Sequence, residues 1–209
     1  MIIAVDGPTA SGKGTIAKAL AAHFGLPVLD TGLLYRAVGY QTQLNHGDAD
    51  SAADALAACD FPDALLSDPA LRYETTGGLA SRVSIHPQVR AALFQRQVDF
   101  ANQPGGAVLD GRDIGTVIAP HADAKLFVTA SPEERARRRH AEMIGRGVDV
   151  SFDAVLADVH ARDARDTGRA DAPLIRAADA MLLDNTNMDR EAALAAAIAF
   201  VEARQALRG

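Results

Sequence analysis

The sequence predicts an α/β protein built on a five-stranded parallel sheet with helices on both faces. Three observations carry this. Short β-branched apolar runs recur along the chain without the period-2 alternation of a half-solvated sheet. Segments with helical spacing and recognisable start and stop residues lie between them. A glycine-rich stretch, Gly7–Thr15 (GPTASGKGT), follows directly on the first apolar run. In such sheets ligands gather at the carboxyl ends of the strands.

Taken in order, IIAVD is the first strand and KGTIAKALAAHFG the first helix, with Ile16, Ala19, Leu20 and Phe24 on one face and Gly25 as its stop. PVLD is the second strand. A helix starts near Thr31 in TGLLYRAVGYQTQLN, and another is expected in DADSAADALAACD. From Phe61 to about Thr76 prolines and glycines break any period, which predicts loop with a fragment of strand. PQVRAALFQRQVDFANQ is a helix with proline in its first turn. GAVLD and AKLFVTA are the third and fourth strands. SPEERARRRHAEMIGRG opens as a capping box, with Ser131 as N-cap, Pro132 after it and Glu134 at the third position. SFDAVLADVHARDARDTGR is a helix, DAMLLDN the fifth strand, and DREAALAAAIAFVEARQAL the last helix. The segments at Gly7, Asp30 and Asp110 all follow strand ends, so they are expected to meet at one edge of the sheet.

A chain of 209 residues suits one domain with a sizeable core, and 48% hydrophobic with 23% charged residues is ordinary for a globular protein. The net charge of −6 argues against nucleic acid as a partner. One cysteine, Cys59, allows no intramolecular disulfide, which fits a cytoplasmic setting, and it is read as core. No apolar run reaches a membrane span, and the N-terminus lacks the basic region of a signal peptide. The six histidines form no metal-ligand spacing, and Met143 and Met181 are read as core filling.

Gly7, Gly12 and Lys13 meet the spacing G-x4-G-K. Glycines let the backbone N–H groups turn inward as a nest for phosphate oxygens, the following helix adds its positive end, and the lysine adds a point charge. Gly7, Pro8, Thr9, Ala10, Ser11, Gly12, Lys13, Gly14 and Thr15 are therefore the expected nucleotide cradle. Gly14 stands where many such loops place a hydroxyl on magnesium, and the hydroxyl comes one residue later at Thr15. Mg²⁺ would then be held largely through water, and GKGT resembles the loop of nucleoside monophosphate kinases, which shifts the reading from hydrolysis towards transfer between small molecules.

Bringing two polyanions together calls for cationic clamping rather than a strong base, because an acceptor phosphate is already nucleophilic near neutral pH. Arg36 lies one turn into the helix after Asp30, and Arg112 lies at a strand end between Asp110 and Asp113. Arg162, Arg165 and Arg169 follow at spacings of three and four, on one helical face, with Asp163 and Asp166 as interleaved counter-charges. A solvated, salt-bridged surface helix is the plain alternative for that last group. Tyr35 offers a ring for a base or sugar, and Ser81 and Asp113 could hydrogen-bond a base edge.

GPTASGKGT, DTGLLYR, ASRV with HPQVR, LDGRDIGT and RDARDTGRADAPL occur here in the order typical of bacterial cytidylate kinases, and the chain resembles that family over nearly its whole length. The last three motifs are much more specific than the phosphate loop. The resemblance implies a P-loop kinase fold with a helical acceptor-binding segment and a short mobile lid, in one kinase domain over 1–209. The core would be about 1–30, 106–150 and 172–209, the acceptor segment about 31–105, and the lid about 150–171. It implies transfer from ATP, with Mg²⁺, to CMP or dCMP by a monomer without nucleic acid, membrane or a protein metal site. Lys13, Arg112, Arg162 and Arg169 would be catalytic. Thr31, Tyr35, Arg36, Ser81, Arg90, Arg112, Asp113, Arg162 and Asp166 would bind the acceptor, with Ser81, Arg90 and Asp113 reading cytosine and Arg162 and Asp166 near the ribose. Arg169, with Arg165, would belong to the lid.

Thr31 stands where many members have serine and keeps the hydroxyl. The segment from Cys59 to Ser81 is too short for the strand-rich insertion common in the family, although Arg72 aligns with a family arginine. Two other classes compete. A kinase of the same fold acting on UMP, AMP or a hydroxyl metabolite would need different base contacts or a general base such as Asp30 or Asp113. A nucleotide switch would need a guanine-reading N-K-x-D, which the sequence lacks.

Overall fold

The structure is a computed structural model describing residues 1–207. Its sheet has five strands, β1 (Ile2–Asp6), β2 (Val28–Asp30), β3 (Ala107–Gly111), β4 (Ala124–Thr129) and β5 (Met181–Asp184), in the order β2-β3-β1-β4-β5. β1 runs parallel to β3 with Asp6 opposite Gly111, and parallel to β4 with Asp6 opposite Phe127. β4 runs parallel to β5. The central strands are apolar because both faces are covered: Ile3, Val5, Val108, Leu126 and Val128 are buried with Ile16 and Leu20 of α1 (Lys13–Phe24) and Val201 of α8 (Arg190–Ala206). Met181 packs against this core.

Chain contacts divide the molecule into two compact units, Met1–Leu29 with Ala101–Gly209, and Asp30–Phe100. The second unit contains α2 (Thr31–Leu44), α3 (Ala52–Ala57), α4 (Glu74–Val83) and most of α5 (Pro87–Ala101). Its own core is Leu34, Val38, Leu71, Val83, Val89 and Leu93, with Cys59 packed against it. Cys59 Sγ lies 3.5 Å from the Ala55 carbonyl, and burial pushes its thiol up to about 11, as for an inert core thiol.

In this unit the expected loop is helical. Asp63–Ser67 and Pro69–Arg72 are 3₁₀ turns, and α4 follows. Local capping explains the turns: Asp68 accepts from the Ala70 amide at 2.8 Å and Pro69 fills the first helical position. The glycines at 77 and 78 hid α4 from a reading of breakers, since packing overrides propensity. The approach of α2 to α4 is close: a Cβ at Gly39 would stand 2.8 Å from the Leu79 Cβ.

Helix ends elsewhere follow the sequence. Gly25 closes α1 in the left-handed conformation, at φ 64. On α1 the buried residues are Ile16, Ala17, Leu20 and Ala21, so the buried stripe lies one residue round from the expected one. Ser131 caps α6 (Pro132–Gly145) by accepting from the Glu134 amide at 3.2 Å. The reciprocal half of the box is replaced, because the Ser131 amide donates to Thr186 Oγ1 at 2.9 Å. α6 and α7 (Phe152–Gly168) pair around Ala136, Val155 and Val159, with Met143 packed alongside.

Candidate active site

The cradle is shaped by backbone conformations that L-residues avoid. Ala10 (φ 58) and Gly12 (φ 87) are both left-handed, and the Thr15 and Ile16 amides close on the Gly12 carbonyl at 3.0 and 3.2 Å. Gly7 meets β4 so closely that a Cβ there would stand 2.0 Å from the Val128 carbonyl oxygen. α1 begins at Lys13 with no acidic residue in its first turn to offset its positive end. Lys13 Nζ lies 3.6 Å from Asp110 at the end of β3. Ser11 Oγ is fully buried with no hydrogen-bond partner among the described residues, an orphaned donor of the kind a phosphate oxygen satisfies.

Two ties from distant parts of the chain reach this loop, and a third residue braces one of them. Asn185, after β5, donates from Nδ2 to the Ser11 carbonyl at 2.9 Å. Arg138 of α6 grips Asn185, donating to its Oδ1 and to its carbonyl, each at 2.8 Å. Arg135, 3% exposed, donates from Nη1 to the Thr9 carbonyl at 3.2 Å and makes a two-pronged pair with Asp163 of α7 at 3.0 and 2.5 Å. Beside the loop is a cavity of about 270 Å³ lined by Thr15, Ile16, Arg138, Asn185, Met188 and Leu194, among others.

Arg112 follows β3 and donates from Nε to Asp166 of α7 at 2.7 Å. Burial alone would raise the Asp166 pKa. The Arg112 charge and hydrogen bond, with the fields of Arg169 and Lys13, outweigh it and hold the carboxyl below its usual range. Asp166 is thus a carboxylate at any pH near neutral. Arg162, Asp166 and Arg169 are all buried, and Arg162 Nε lies 2.8 Å from Asp158.

The arginine face differs from the sequence expectation. Arg162 lies on the buried face of α7, but Arg169 lies past its end in extended backbone (ψ 135), and Arg165 is only half-buried. The cause is the chain reversal after Gly168, where the Leu174 amide returns to the Asp166 carbonyl at 2.8 Å. Asp163 and Asp166 are not spacers on their own helix either: each takes an arginine from another element.

In the Asp30–Phe100 unit, the Arg90 guanidinium lies over the Tyr35 ring, 5.8 Å from its centroid. Arg36 Nη1 donates to the Leu71 and Tyr73 carbonyls at 2.9 and 3.1 Å. Thr31, the first residue of α2, is buried, Ser81 is half-buried near the end of α4, and Arg72 is exposed.

Sequence reasoning passed over Asp6, Arg135, Arg138 and Asn185. One signal was available: Asp6 is a carboxylate at the end of an otherwise apolar strand, a position that burial makes costly. No group of three or more His, Cys, Asp or Glu among the described residues is arranged to hold a metal ion. No helix among them is long and apolar enough to cross a membrane.

A family model described as cytidylate kinase matches residues 3–203. A protein named cytidylate kinase from Xanthobacter autotrophicus is 59% identical over 208 residues, covering 100% of both chains. Another of that name from Caulobacter vibrioides is 55% identical over 202 residues, 96% of this chain and 95% of that protein. A crystal structure of an uncharacterized protein from Eubacterium ventriosum aligns over 97% of this chain and 98% of that one, with a TM-score of 0.56 and 16% identity, a likeness of fold alone.

Proposed function

The chain belongs to the cytidylate kinase family, and from that premise we propose how its residues divide the work of phosphoryl transfer from ATP to CMP or dCMP. The observation that carries the reaction is the family match over residues 3–203, which takes in the cradle and the Arg112–Asp113 turn alike. An oxygen of the acceptor phosphate attacks the γ-phosphorus, the bond to the β-phosphate bridging oxygen breaks, and ADP leaves with that electron pair.

The cradle, Gly7–Thr15, takes the ATP phosphates on its amides and on Ser11 Oγ, and Lys13 carries the charge that develops in transfer. The cavity lined by Arg138, Asn185 and Met188 takes the donor base. Its size suits a purine ring, and Arg138 is held by two bonds to Asn185 so that its guanidinium can offer a flat face. Mg²⁺ would be held here through phosphate and water, with Thr15 as the residue that could offer a hydroxyl, because Mg²⁺ keeps several waters and needs no protein cage. When bound it neutralises charge on the phosphates.

Arg112, Arg162 and Arg169 are the further catalytic cations. Asp166 orients Arg112 and binds the acceptor sugar together with Arg162. Thr31, Tyr35, Arg36, Ser81 and Arg90 take the acceptor nucleotide, with Arg36 on its phosphate and Ser81, Arg90 and Asp113 on the cytosine edge. A pocket that pairs polar groups with a base rejects analogues lacking them. The segment about 150–171 is the lid, 31–105 the acceptor part and the remainder the core. We read the protein as a cytoplasmic monomer without a nucleic-acid or membrane partner: the single cysteine fits a reducing compartment, the net charge of −6 counts against nucleic acid, no described helix is long and apolar enough to cross a membrane, and the family resemblance implies the monomer.

The test is an ADP-release assay with Mg-ATP against CMP, dCMP, UMP, AMP, GMP and no acceptor. Strong release with CMP and dCMP, weak release with UMP and almost none without acceptor is expected. Equal rates with UMP or AMP would overturn the base assignments, and acceptor-independent release would overturn transfer itself.

A further inference from the structure

Asp6 ends β1, is 5% exposed, and has no place in the phosphate cradle proper. Its two carboxylate oxygens accept from the amides of Ile114 and Gly115, each at 2.8 Å, across more than 100 residues of sequence. These amides open a single π turn, Ile114–Ile118, in which the Ile118 amide bonds the Asp113 carbonyl and the Ala119 amide the Ile114 carbonyl. Any helical turn leaves its first N–H groups without partners, and an aspartate just before it normally folds back to cap them. Asp113 occupies that position and makes no capping bond. The capping task has moved to a second aspartate on another strand.

We infer that Asp6 is a positioning residue for acceptor recognition: by capping the turn from β1 it spares the Asp113 side chain that task, so that it can serve the acceptor base, and it fixes the backbone between Arg112 and Gly115. The inference rests on the proposed reading of Asp113 as a base contact. It also explains a costly feature. Burial, with the charges of Asp113 and Asp110, raises Asp6 to about 7 although the two amides lower it. A carboxyl whose folded pKa is raised above its ordinary 3.8 stabilises the fold below that value, and this stability is lost as pH rises through about 7. An apolar or neutral residue would avoid that loss but would leave one or both of the Ile114 and Gly115 amides without an acceptor. The charged groups around Asp6 are Asp113 on the turn, Asp110 on β3, Lys13 on α1, which lies against Asp110, and Lys125 on β4. The Lys125 stem packs at Gly115 while its ammonium is held by the Pro120 carbonyl and Asp179.

The experiment compares Asp6→Asn and Asp113→Asn with the wild type, taking KM for CMP, KM for ATP, kcat and melting temperature from pH 5.5 to 8.5. The amide introduced by Asp6→Asn keeps the shape but has one acceptor oxygen, and its NH₂ opposes the second backbone amide. For Asp6→Asn the expected result is a KM for CMP raised about tenfold with KM for ATP unchanged. Its melting temperature relative to wild type should rise with pH across 7. A KM for CMP that does not move, or that rises together with KM for ATP, overturns the inference. If Asp113→Asn leaves KM for CMP unchanged, it is the base reading of Asp113 that fails. Should Asp6→Asn not fold, the wild type decides by NMR. Couplings across the hydrogen bonds from the Ile114 and Gly115 amides to the Asp6 carboxyl carbon should be seen, and their absence overturns the cap.

Discussion

The two units keep their functional side chains in place by different means. In Met1–Leu29 with Ala101–Gly209, the cradle is held by polar ties between residues far apart in sequence, Arg135 to Thr9 and Asp163 and Asn185 to Ser11, and Arg112 is held in the same way by Asp166. In Asp30–Phe100, Tyr35, Arg36 and Arg90 ride on helices packed through Leu34, Val38, Val83 and Leu93. The difference follows from the backbone each part carries. A glycine-rich loop with strained backbone leaves amides without helical or sheet partners, and only directed hydrogen bonds hold such a loop in one shape. A helix satisfies its own backbone, so apolar packing is enough to aim the side chains it carries.

Three substitutions put that contrast at risk. The largest effect is expected from Lys13→Met. It should lower kcat/KM by about 10²–10³, roughly 3–4 kcal/mol of transition-state stabilisation, with little change in melting temperature. Steady-state kinetics beside a thermal melt checks it, and a large fall in melting temperature would mean that the lysine also holds the fold. Next, Leu93→Ala in the second unit should cost about 2–5 kcal/mol of stability by transfer and cavity terms, while the folded enzyme keeps its turnover. Urea unfolding with activity per folded molecule separates the two. The smallest is Arg135→Met, which leaves Asp163, a quarter exposed, without its partner and should cost about 1–3 kcal/mol and raise KM for ATP. Adding Asp163→Leu should restore stability but not KM. Recovery of both would show that the pair serves packing alone and that polar ties to the cradle are dispensable.

Much of this was legible in the residues. Cradle, strand runs and helix stops are local patterns: Gly7 and Gly12 supply conformations other residues resist, β-branched runs suit a sheet covered on both faces, and Gly25 closes a helix. α4 was not legible, because Gly77 and Gly78 speak against a helix that the packing of α2 imposes. Arg112 and Asp166 were found singly, but their pairing at 2.7 Å was not.

Residue types at fixed short spacing were enough for the fold class, the glycine-rich loop before α1 and the inventory of arginines. Which charge meets which came from the folded chain alone. Arg135 takes Asp163, Arg112 takes Asp166, and Asp6 caps a turn more than 100 residues away. Those choices depend on the order of strands in the sheet. Coulombic and hydrogen-bonding preferences are the same for any arginine–aspartate pair, so nothing in the residues alone could rank one partner above another.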